Sequence, residues 1–469
     1  MKQFDDEAFR KAGYEMIDWI ADYHKNVESY PVLSKAQPGN ILSKLPTKAP
    51  EMPESFSEIM KDVDDIIMPG ITHWQSPNFF AFFPSNNSGP SVLGEMLSAG
   101  LGVQGMLWLT SPACTELEIK VLDWLVDLLD LPQMYKSTGA GGGVIQDTAS
   151  SASLCALLAA RHQVSEGNAP KTGMPDNFAA YTSDQAHSSM AKAANIAGMG
   201  TERLRMISTD ENFAMQSEAL EKAILEDKAS GGQPFFVAAT IGTTSTLAND
   251  PLPEIAEICK KHHCWLHVDA AMSGTAAICE EYRKIHKGLE NADSYTFNPH
   301  KWMLTNFDCN AFYLKDRKML THTMSILPEY LRNAATEKSE VVDYRDWQVP
   351  LGRRFRALKL WFVLRMYGAE HIREMVRKHV GLAEDLAERI ASHPKLVLAA
   401  PLSLNLVCFR HTDGNEKTQQ IMEEINASGN AYLSHTKLNE HYVIRVSVGQ
   451  AKTEKEHIDR LWGIIEDRC

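Results

Sequence analysis

Residues 295–302 of this chain read Tyr-Thr-Phe-Asn-Pro-His-Lys-Trp and place Lys301 just after a short strand-like segment. Lysines are rarely buried beside apolar segments unless they have a partner or a covalent bond. Desolvation lowers the pKa of an amine, and the neutral amine can condense with an aldehyde. Taken alone, Lys301 would be interpreted as a surface lysine with a buried stem. The motifs around it favour the reactive interpretation.

A second segment, residues 265–271, reads Trp-Leu-His-Val-Asp-Ala-Ala and ends an apolar strand at Asp269. An aspartate at this place can cap a helix. It can also keep a pyridinium nitrogen protonated, which makes a flat ring an electron sink, while the two alanines leave room for the ring.

His187 lies earlier in the chain. A lone histidine is usually structural, but an imidazole can also stack on such a ring and bind a substrate carboxylate.

A glycine-rich stretch at 139–143 precedes a Ser/Thr-rich helix start at 147–150. Backbone N–H groups and hydroxyls at a helix N-terminus bind phosphate well. A flexible loop with an ordinary helix cap is the alternative interpretation. The stretch is neither a Walker loop nor a dinucleotide fingerprint.

Helix-like and strand-like segments alternate through the middle of the chain, which predicts a mostly parallel α/β sheet with ligands beyond the carboxyl ends of its strands. The helix-like segments are 115–130, 149–163 and 217–229, and the strand-like ones are 235–240, 265–269 and 309–314. From about residue 358 a small α+β domain is expected, which begins with a long helical run at 358–391. The predicted domains are an N-terminal helical arm at 1–84, a large α/β domain at 85–357 and the small domain at 358–469.

Composition excludes several classes of protein. The formal charge of −13 disfavours a nucleic-acid partner. No apolar stretch is long enough to span a membrane, and the acidic first residues do not resemble a signal peptide. The eight cysteines form no CxxC pair, so we expect reduced thiols, no metal site and a cytoplasmic location.

Five motifs then occur in order along the chain, at 143–150, 184–189, 267–271, 298–302 and 350–356. With them the chain resembles the group II pyridoxal-phosphate (PLP) decarboxylases, and among these the aromatic-L-amino-acid (DOPA) decarboxylases, over nearly its whole length. The resemblance implies PLP as the cofactor and a PLP-dependent transferase fold, aspartate aminotransferase-like (fold type I). It also implies a homodimer whose N-terminal arm packs on the partner subunit.

The resemblance also assigns roles to residues of this sequence. It implies that Lys301 binds the cofactor as a Schiff base, that Asp269 holds the ring nitrogen and that His187 stacks on the ring. The residues implied to contact the phosphate are Ala149, Ser150, Ser294, Asn298 and His300. Those implied to flank the ring are Thr244 and Ala271.

The implied substrate contacts are Phe82, Phe83, Ser85, Gln104, Met106 and Gly352, of which Gln104 and Met106 are expected to reach the neighbouring subunit's site. A mobile lid is expected at about 321–351. Its Tyr330 is implied to protonate the substrate carbon.

The implied reaction is decarboxylation of an aromatic L-amino acid (tryptophan, 5-hydroxytryptophan, DOPA, tyrosine or phenylalanine type) to the arylalkylamine and CO2. Relatives that make aromatic acetaldehydes replace the lid tyrosine or the stacking histidine, whereas this chain keeps Tyr330 and His187. Glutamate decarboxylation is disfavoured, and a non-catalytic PLP-binding protein is a further alternative. Gly352 predicts room for an indole ring, while the polar Gln104 leaves the preferred ring open.

Overall fold

The computed structural model describes residues 4–326 and 341–469. Within these two ranges, seven strands form the central sheet, namely β1 (Gly142–Gln146), β2 (Phe178–Ser183), β3 (Leu204–Ile207), β4 (Gln233–Thr240), β5 (Trp265–Asp269), β6 (Ser294–Phe297) and β7 (Asn310–Leu314). Their order across the sheet is β1-β7-β6-β5-β4-β2-β3. A second sheet has the order β10-β11-β9-β8 and is built from β8 (Leu396–Leu398), β9 (Leu406–His411), β10 (Ser434–Leu438) and β11 (His441–Ser447).

The strand directions in the central sheet decide where a site can form. Pairing is parallel from β3 through β2, β4 and β5 to β6, and β7 runs antiparallel to both β6 and β1. Six strands therefore share one direction, and their carboxyl ends lie at the same edge, which we call the carboxyl edge. The predicted mostly parallel sheet is confirmed.

The helices of the described residues are α1 (Asp6–Asn26), α2 (Phe56–Asp62), α3 (Gly89–Leu101), α4 (Pro112–Leu128), α5 (Ala149–Val164), α6 (Ala169–Thr172), α7 (Ser189–Ile196), α8 (Ser217–Ala229), α9 (Leu252–His262), α10 (Pro299–Trp302), α11 (Arg317–Met324), α12 (Arg356–Ser392), α13 (Asn415–Ser428) and α14 (Lys455–Glu466). The sequence predicted one helical run at 358–391. The structure interrupts it at Gly368, whose φ of 73° is a conformation that glycine adopts without a steric penalty. None of the described helices is long and apolar enough to cross a membrane.

Helix α5 lies against the central sheet because its inner face carries small side chains. Ala152, Ala156 and Ala159 are completely buried in the same core as Val144 and Phe236 of the sheet. Alanine adds little bulk between helix and strands, so the helix axis can approach the sheet closely. This packing fixes the N-terminus of α5 at the carboxyl edge.

The described chain divides into two compact units. One holds the residues up to Pro84 with Glu388–Val397 and Phe409–Cys469, and the other holds Ser85–Ala387 with Leu398–Cys408. Within the first unit, Val32, Phe79 and Ala81 form a buried cluster against Tyr432. The N-terminal segment thus packs on C-terminal residues of its own chain. The three predicted domains, and the packing of the arm on a partner subunit, stay predictions.

Candidate active site

The carboxyl edge collects most of the predicted site residues because they follow strands that share one direction. Asp269 is the last residue of β5, and Asn298 follows β6 directly. Thr244 follows β4, His187 follows β2, and α5 begins at Ala149 just after β1. Ligands of open α/β sheets bind at such an edge.

Asp269 is a buried carboxylate with one backbone donor. The Ala271 N–H donates to its Oδ1 at 2.9 Å. Burial raises the pKa of Asp269, while the charge on Lys301, the Ala271 N–H and His187 lower it. Lys301 and His187 therefore lie within the electrostatic field of Asp269. A buried carboxylate in this position can hold a cationic ring nitrogen.

Lys301 lies on the short helix α10, and hydrogen bonds from side chains hold the turn that carries it. Asn86 donates from Nδ2 to the Lys301 carbonyl at 2.6 Å, and Ser85 Oγ donates to the His300 carbonyl at 3.3 Å. On the other side, Trp302 Nε1 donates to His379 Nδ1 at 2.9 Å. The structure thus brings Ser85 to the lysine and fixes the backbone on both sides of it.

The ring of His187 has a defined tautomer when it is neutral. Its Nδ1 accepts from the Ser189 N–H at 3.1 Å, so the proton lies on Nε2. Partial burial lowers the pKa of His187, the charge on Lys301 acts in the same direction, and Asp269 opposes both. A neutral imidazole with an N–H at Nε2 can donate to an anionic ligand.

The predicted phosphate contacts come from two turns of the carboxyl edge. Ala149 and Ser150 begin α5, where the first N–H groups of a helix have no partners within the helix. The Asn298 N–H donates to the Ala271 carbonyl at 3.0 Å. His300 Nδ1 accepts from the Cys309 N–H at 3.0 Å, and burial lowers the pKa of His300 to about 3. The neutral His300 ring therefore presents an N–H at Nε2. N–H groups of this kind suit a phosphate.

The glycine-rich stretch does not adjoin the helix start, which corrects the sequence interpretation. Gly142 and Gly143 are the first residues of β1, and the rest of the strand lies between them and α5. A Cβ on Gly143 would lie 2.8 Å from the ring of Tyr313, and one on Gly141 would lie 2.6 Å from the Leu314 carbonyl. These glycines permit close packing against β7, and the helix start alone lies at the carboxyl edge.

Ser294 is not brought to the carboxyl edge. It is the first residue of β6, so it lies at the opposite end of the strand from Asn298. Its Oγ accepts from Trp265 Nε1 at 2.8 Å and lies 2.9 Å from His267 Nδ1. Four extended residues span about 13 Å. We therefore do not retain the predicted phosphate contact of Ser294.

Gln104 and Gly352 face each other in the described chain. Gln104 Oε1 accepts from the Arg353 N–H at 3.0 Å, and a Cβ on Gly352 would lie 3.5 Å from the Gln104 amide. The Met106 carbonyl accepts from the Arg345 N–H at 3.0 Å. The expected reach of Gln104 and Met106 into a neighbouring subunit's site stays a prediction.

Three predicted site residues, Phe82, Phe83 and Tyr330, have no described contact with the carboxyl edge. Phe82 and Phe83 belong to the other compact unit, where Phe82 N–H donates to Ser434 Oγ at 3.0 Å and the Arg445 guanidinium lies 5.3 Å from the Phe83 ring centroid. Their predicted contact with substrate stays a prediction. Tyr330 lies outside the described residues.

Three residues near the carboxyl edge were not identified from the sequence, namely Asn86, Glu118 and Asn310. Asn86 binds the backbone of the lysine turn, Glu118 pairs with Arg353, and Asn310 contacts Asn298. Only Asn310 carried a local signal, because it is a polar residue at the start of an apolar strand, and buried polar groups require partners.

Comparison with known proteins gives one consistent result. The family model described as the pyridoxal-dependent decarboxylase conserved domain matches residues 38–412. Tryptophan decarboxylase 2 of Oryza sativa subsp. japonica is 45% identical over 478 residues, which cover 100% of this chain and 96% of that protein. Phenylacetaldehyde synthase of Arabidopsis thaliana is also 45% identical, with 100% and 97% covered.

Solved structures give the same result. The crystal structure of Oryza sativa TDC with PLP and tryptamine aligns with a TM-score of 0.97 at 36% identity, covering 100% of this chain and 99% of that chain.

Proposed function

This chain belongs to the pyridoxal-dependent decarboxylase family, and on that premise we propose that it decarboxylates aromatic L-amino acids to arylalkylamines and CO2. Family membership confirms the resemblance, PLP as the cofactor and the aspartate aminotransferase-like fold. The observation that carries the proposal is the placement of Asp269, His187 and Lys301 at one edge of the sheet, at or just after the ends of β5, β2 and β6.

The donor and charge set at the carboxyl edge fits PLP. Asp269 is an anion suited to the ring nitrogen, and Lys301 is an amine suited to the aldehyde carbon. The start of α5, Asn298 and His300 supply N–H groups suited to the phosphate. When bound, PLP supplies an electron sink for the pair left by breaking the bond between Cα and the carboxylate.

Asp269, His187, Tyr330 and Lys301 then each have a separate role. Asp269 would hold the protonated ring nitrogen, because a buried carboxylate stabilises an adjacent cation strongly. His187 would lie against the ring and donate from Nε2 to the substrate carboxylate. Tyr330 donates a proton to the substrate Cα. Lys301 would hold the cofactor through its side-chain amine.

Arylacetaldehyde synthesis is the second candidate, since phenylacetaldehyde synthase is as similar to this chain as tryptophan decarboxylase 2. That reaction consumes O2 and water and gives aldehyde, CO2, ammonia and H2O2. The retained Tyr330 and His187 favour the amine, because proton delivery to Cα competes with oxygen.

The substrate ring is proposed to include indoles. Gly352 has no side chain to fill the space in front of Gln104. A polar Gln104 can bind an indole N–H or a ring hydroxyl, although its Oε1 already accepts from the Arg353 N–H. Tryptophan and 5-hydroxytryptophan are therefore expected to react alongside phenylalanine-type substrates.

A cytoplasmic homodimer is part of the proposal. Phe9 and Tyr14 on α1 are 66% and 67% exposed, which suits an arm that a second subunit covers. None of the eight cysteines, all of which lie in the described residues, forms a disulfide, as is usual in reducing compartments. Light scattering at working concentration tests assembly, and an active monomer would contradict it.

A substrate panel under air tests the function. The PLP-loaded protein is given L-tryptophan, L-tyrosine, L-DOPA, L-phenylalanine and L-glutamate, and amine, aldehyde, ammonia and CO2 are measured, with Lys301→Ala as the control. We expect amine and CO2 in equal amounts from aromatic substrates only. Aldehyde with ammonia would establish the second candidate, and no turnover by PLP-loaded protein would establish a non-catalytic protein.

A further inference from the structure

Asn310 is a buried polar residue between the two turns that approach the proposed phosphate site. It is the first residue of β7 and is completely buried. On one side it pairs with Gln146, the last residue of β1, just before the start of α5. On the other side β7 runs beside β6, whose end leads to Asn298. The sheet therefore places Asn310 next to both phosphate-binding elements.

The contacts of Asn310 fix the orientation of a second amide. Asn310 Nδ2 donates to the Phe297 carbonyl at 3.0 Å and to Asn298 Oδ1 at 2.7 Å. A carbonyl can only accept, so the Asn310 atom that faces Phe297 must be the NH2 group. The same NH2 group faces the Asn298 side chain, which must therefore present its oxygen. The NH2 group of Asn298 then points away from Asn310.

Cys309, which precedes Asn310, orients the ring of His300 in the same way. The Cys309 N–H occupies His300 Nδ1 at 3.0 Å, which leaves the proton of the neutral ring on Nε2. Cys309 and Asn310, at the start of β7, thus orient the side chains of His300 and Asn298, which follow β6. An anion such as phosphate needs donors, and a reversed Asn298 would present an acceptor to it instead.

We propose that Asn310 is a positioning residue for the phosphate group of the cofactor, because it holds Asn298 with its amide N–H groups available to donate. The inference rests on the proposed function and assigns a role to a residue that does not itself contact the cofactor. It predicts that changing Asn310 alters the preference for a phosphorylated over an unphosphorylated ligand.

Three substitutions separate this role from general structural damage. Asn310→Asp presents only acceptors, so Asn298 reverses and turns its oxygen toward the phosphate. Asn310→Ala removes the partner and leaves Asn298 without a fixed orientation. Thr296→Val is the matched control, because Thr296 Oγ1 donates to Asn310 Oδ1 at 3.1 Å and lies 2.7 Å from its Nδ2, without contacting Asn298.

The experiment measures the Kd of the full-length apoprotein for PLP and for pyridoxal, which lacks the phosphate, from the absorbance of the lysine-bound ligand. We expect Asn310→Asp to weaken PLP binding roughly ten- to hundredfold and pyridoxal binding by less than about threefold. Asn310→Ala should give a smaller change in the same direction. Thr296→Val should leave the ratio of the two Kd values at that of the parent.

The outcomes distinguish the inference from the proposed function. A parent protein that prefers PLP over pyridoxal, with an unchanged ratio in Asn310→Ala and in Asn310→Asp, would overturn the role of Asn310. If Asn310→Asp does not fold, Asn310→Ala alone decides by the same ratio. A parent protein that binds neither ligand at a lysine would overturn the proposed function and this inference with it.

Discussion

The buried ion pair between Glu118 and Arg353 gives the sharpest test of how the carboxyl edge is held. Both side chains are completely buried. Arg353 Nη1 and Nη2 donate to the two carboxylate oxygens at 2.7 and 2.8 Å, and Nη2 also donates to the Ile145 carbonyl at 2.6 Å. Glu118 Oε1 accepts from the Ile145 N–H at 2.7 Å. The pair therefore ties the end of β1 to the segment that contains Gly352.

Glu118→Gln keeps the shape of the side chain and removes its charge. The guanidinium then stays buried without a counterion, and one of its N–H groups faces an NH2 group. Removing one partner of a buried pair costs about 3–5 kcal/mol, which is roughly a fifth or more of the stability of a typical domain, about 5–15 kcal/mol. Urea unfolding followed by tryptophan fluorescence, at a fixed excess of PLP, measures the loss.

Two further variants define the result. Glu118→Gln combined with Arg353→Met removes both charges, so it should recover part of the loss. Asp459→Asn is the matched control, since Asp459 forms surface pairs with Lys455 at 2.7 Å and Arg389 at 2.6 Å, and its replacement should change stability little. The reasoning is refuted if Glu118→Gln costs no more than Asp459→Asn, or if the double variant is no more stable than the single one.

Three other outcomes are expected. Tyr330→Phe should suppress amine formation and give aldehyde and ammonia under air, and an unchanged amine yield would contradict its assignment as proton donor. Gly352→Ser should shift the ratio of kcat/KM values from tryptophan toward tyrosine by roughly 10–200-fold, and a constant ratio would show that Gly352 does not select ring size. Burial lowers the pKa of His267 from 6.5 to about 3. Between these two pH values the His267 ring binds a proton in the unfolded chain but not in the folded chain. Stability should fall as the pH drops from 6.5 toward 3, and His267→Asn should lose less between pH 7 and pH 5 than the parent does; an equal loss would contradict the argument.

Strands and helices with a clear hydrophobic pattern were predictable from the sequence. The expected strands at 235–240, 265–269 and 309–314 correspond to β4, β5 and β7, and the expected helix at 149–163 corresponds to α5. Each is a buried element, so its apolar residues form a continuous run or a helical stripe. Because Asp269 ends such a strand and Lys301 follows one, their place at one edge could be inferred from the sequence.

Elements without such a pattern could not be predicted. β10 reads Ser-His-Thr-Lys-Leu and buries only its two ends, so it has little apolar signal. Gly142 and Gly143 were expected in a turn, but they begin β1, where the neighbouring Trp347 and Tyr313 side chains leave no space for a Cβ. Both features depend on partners that lie far away in sequence.

The contacts that orient the site were the least predictable part. Asn86 binds the carbonyl of Lys301, a residue more than two hundred positions away. Ser294 could not be excluded either, because its position at the amino end of β6 follows from where the strand begins. Hydrogen bonds of this kind depend on the assembled sheet, and no local spacing predicts them.

The most direct test of the central claim is to identify the lysine that binds the cofactor. The PLP-loaded protein is reduced with borohydride and digested, and the modified peptide is located by mass spectrometry. The structure and the motif at 298–302 predict one labelled peptide, modified at Lys301, and no label in Lys301→Ala. A cofactor label on any other lysine of the native protein would contradict the account.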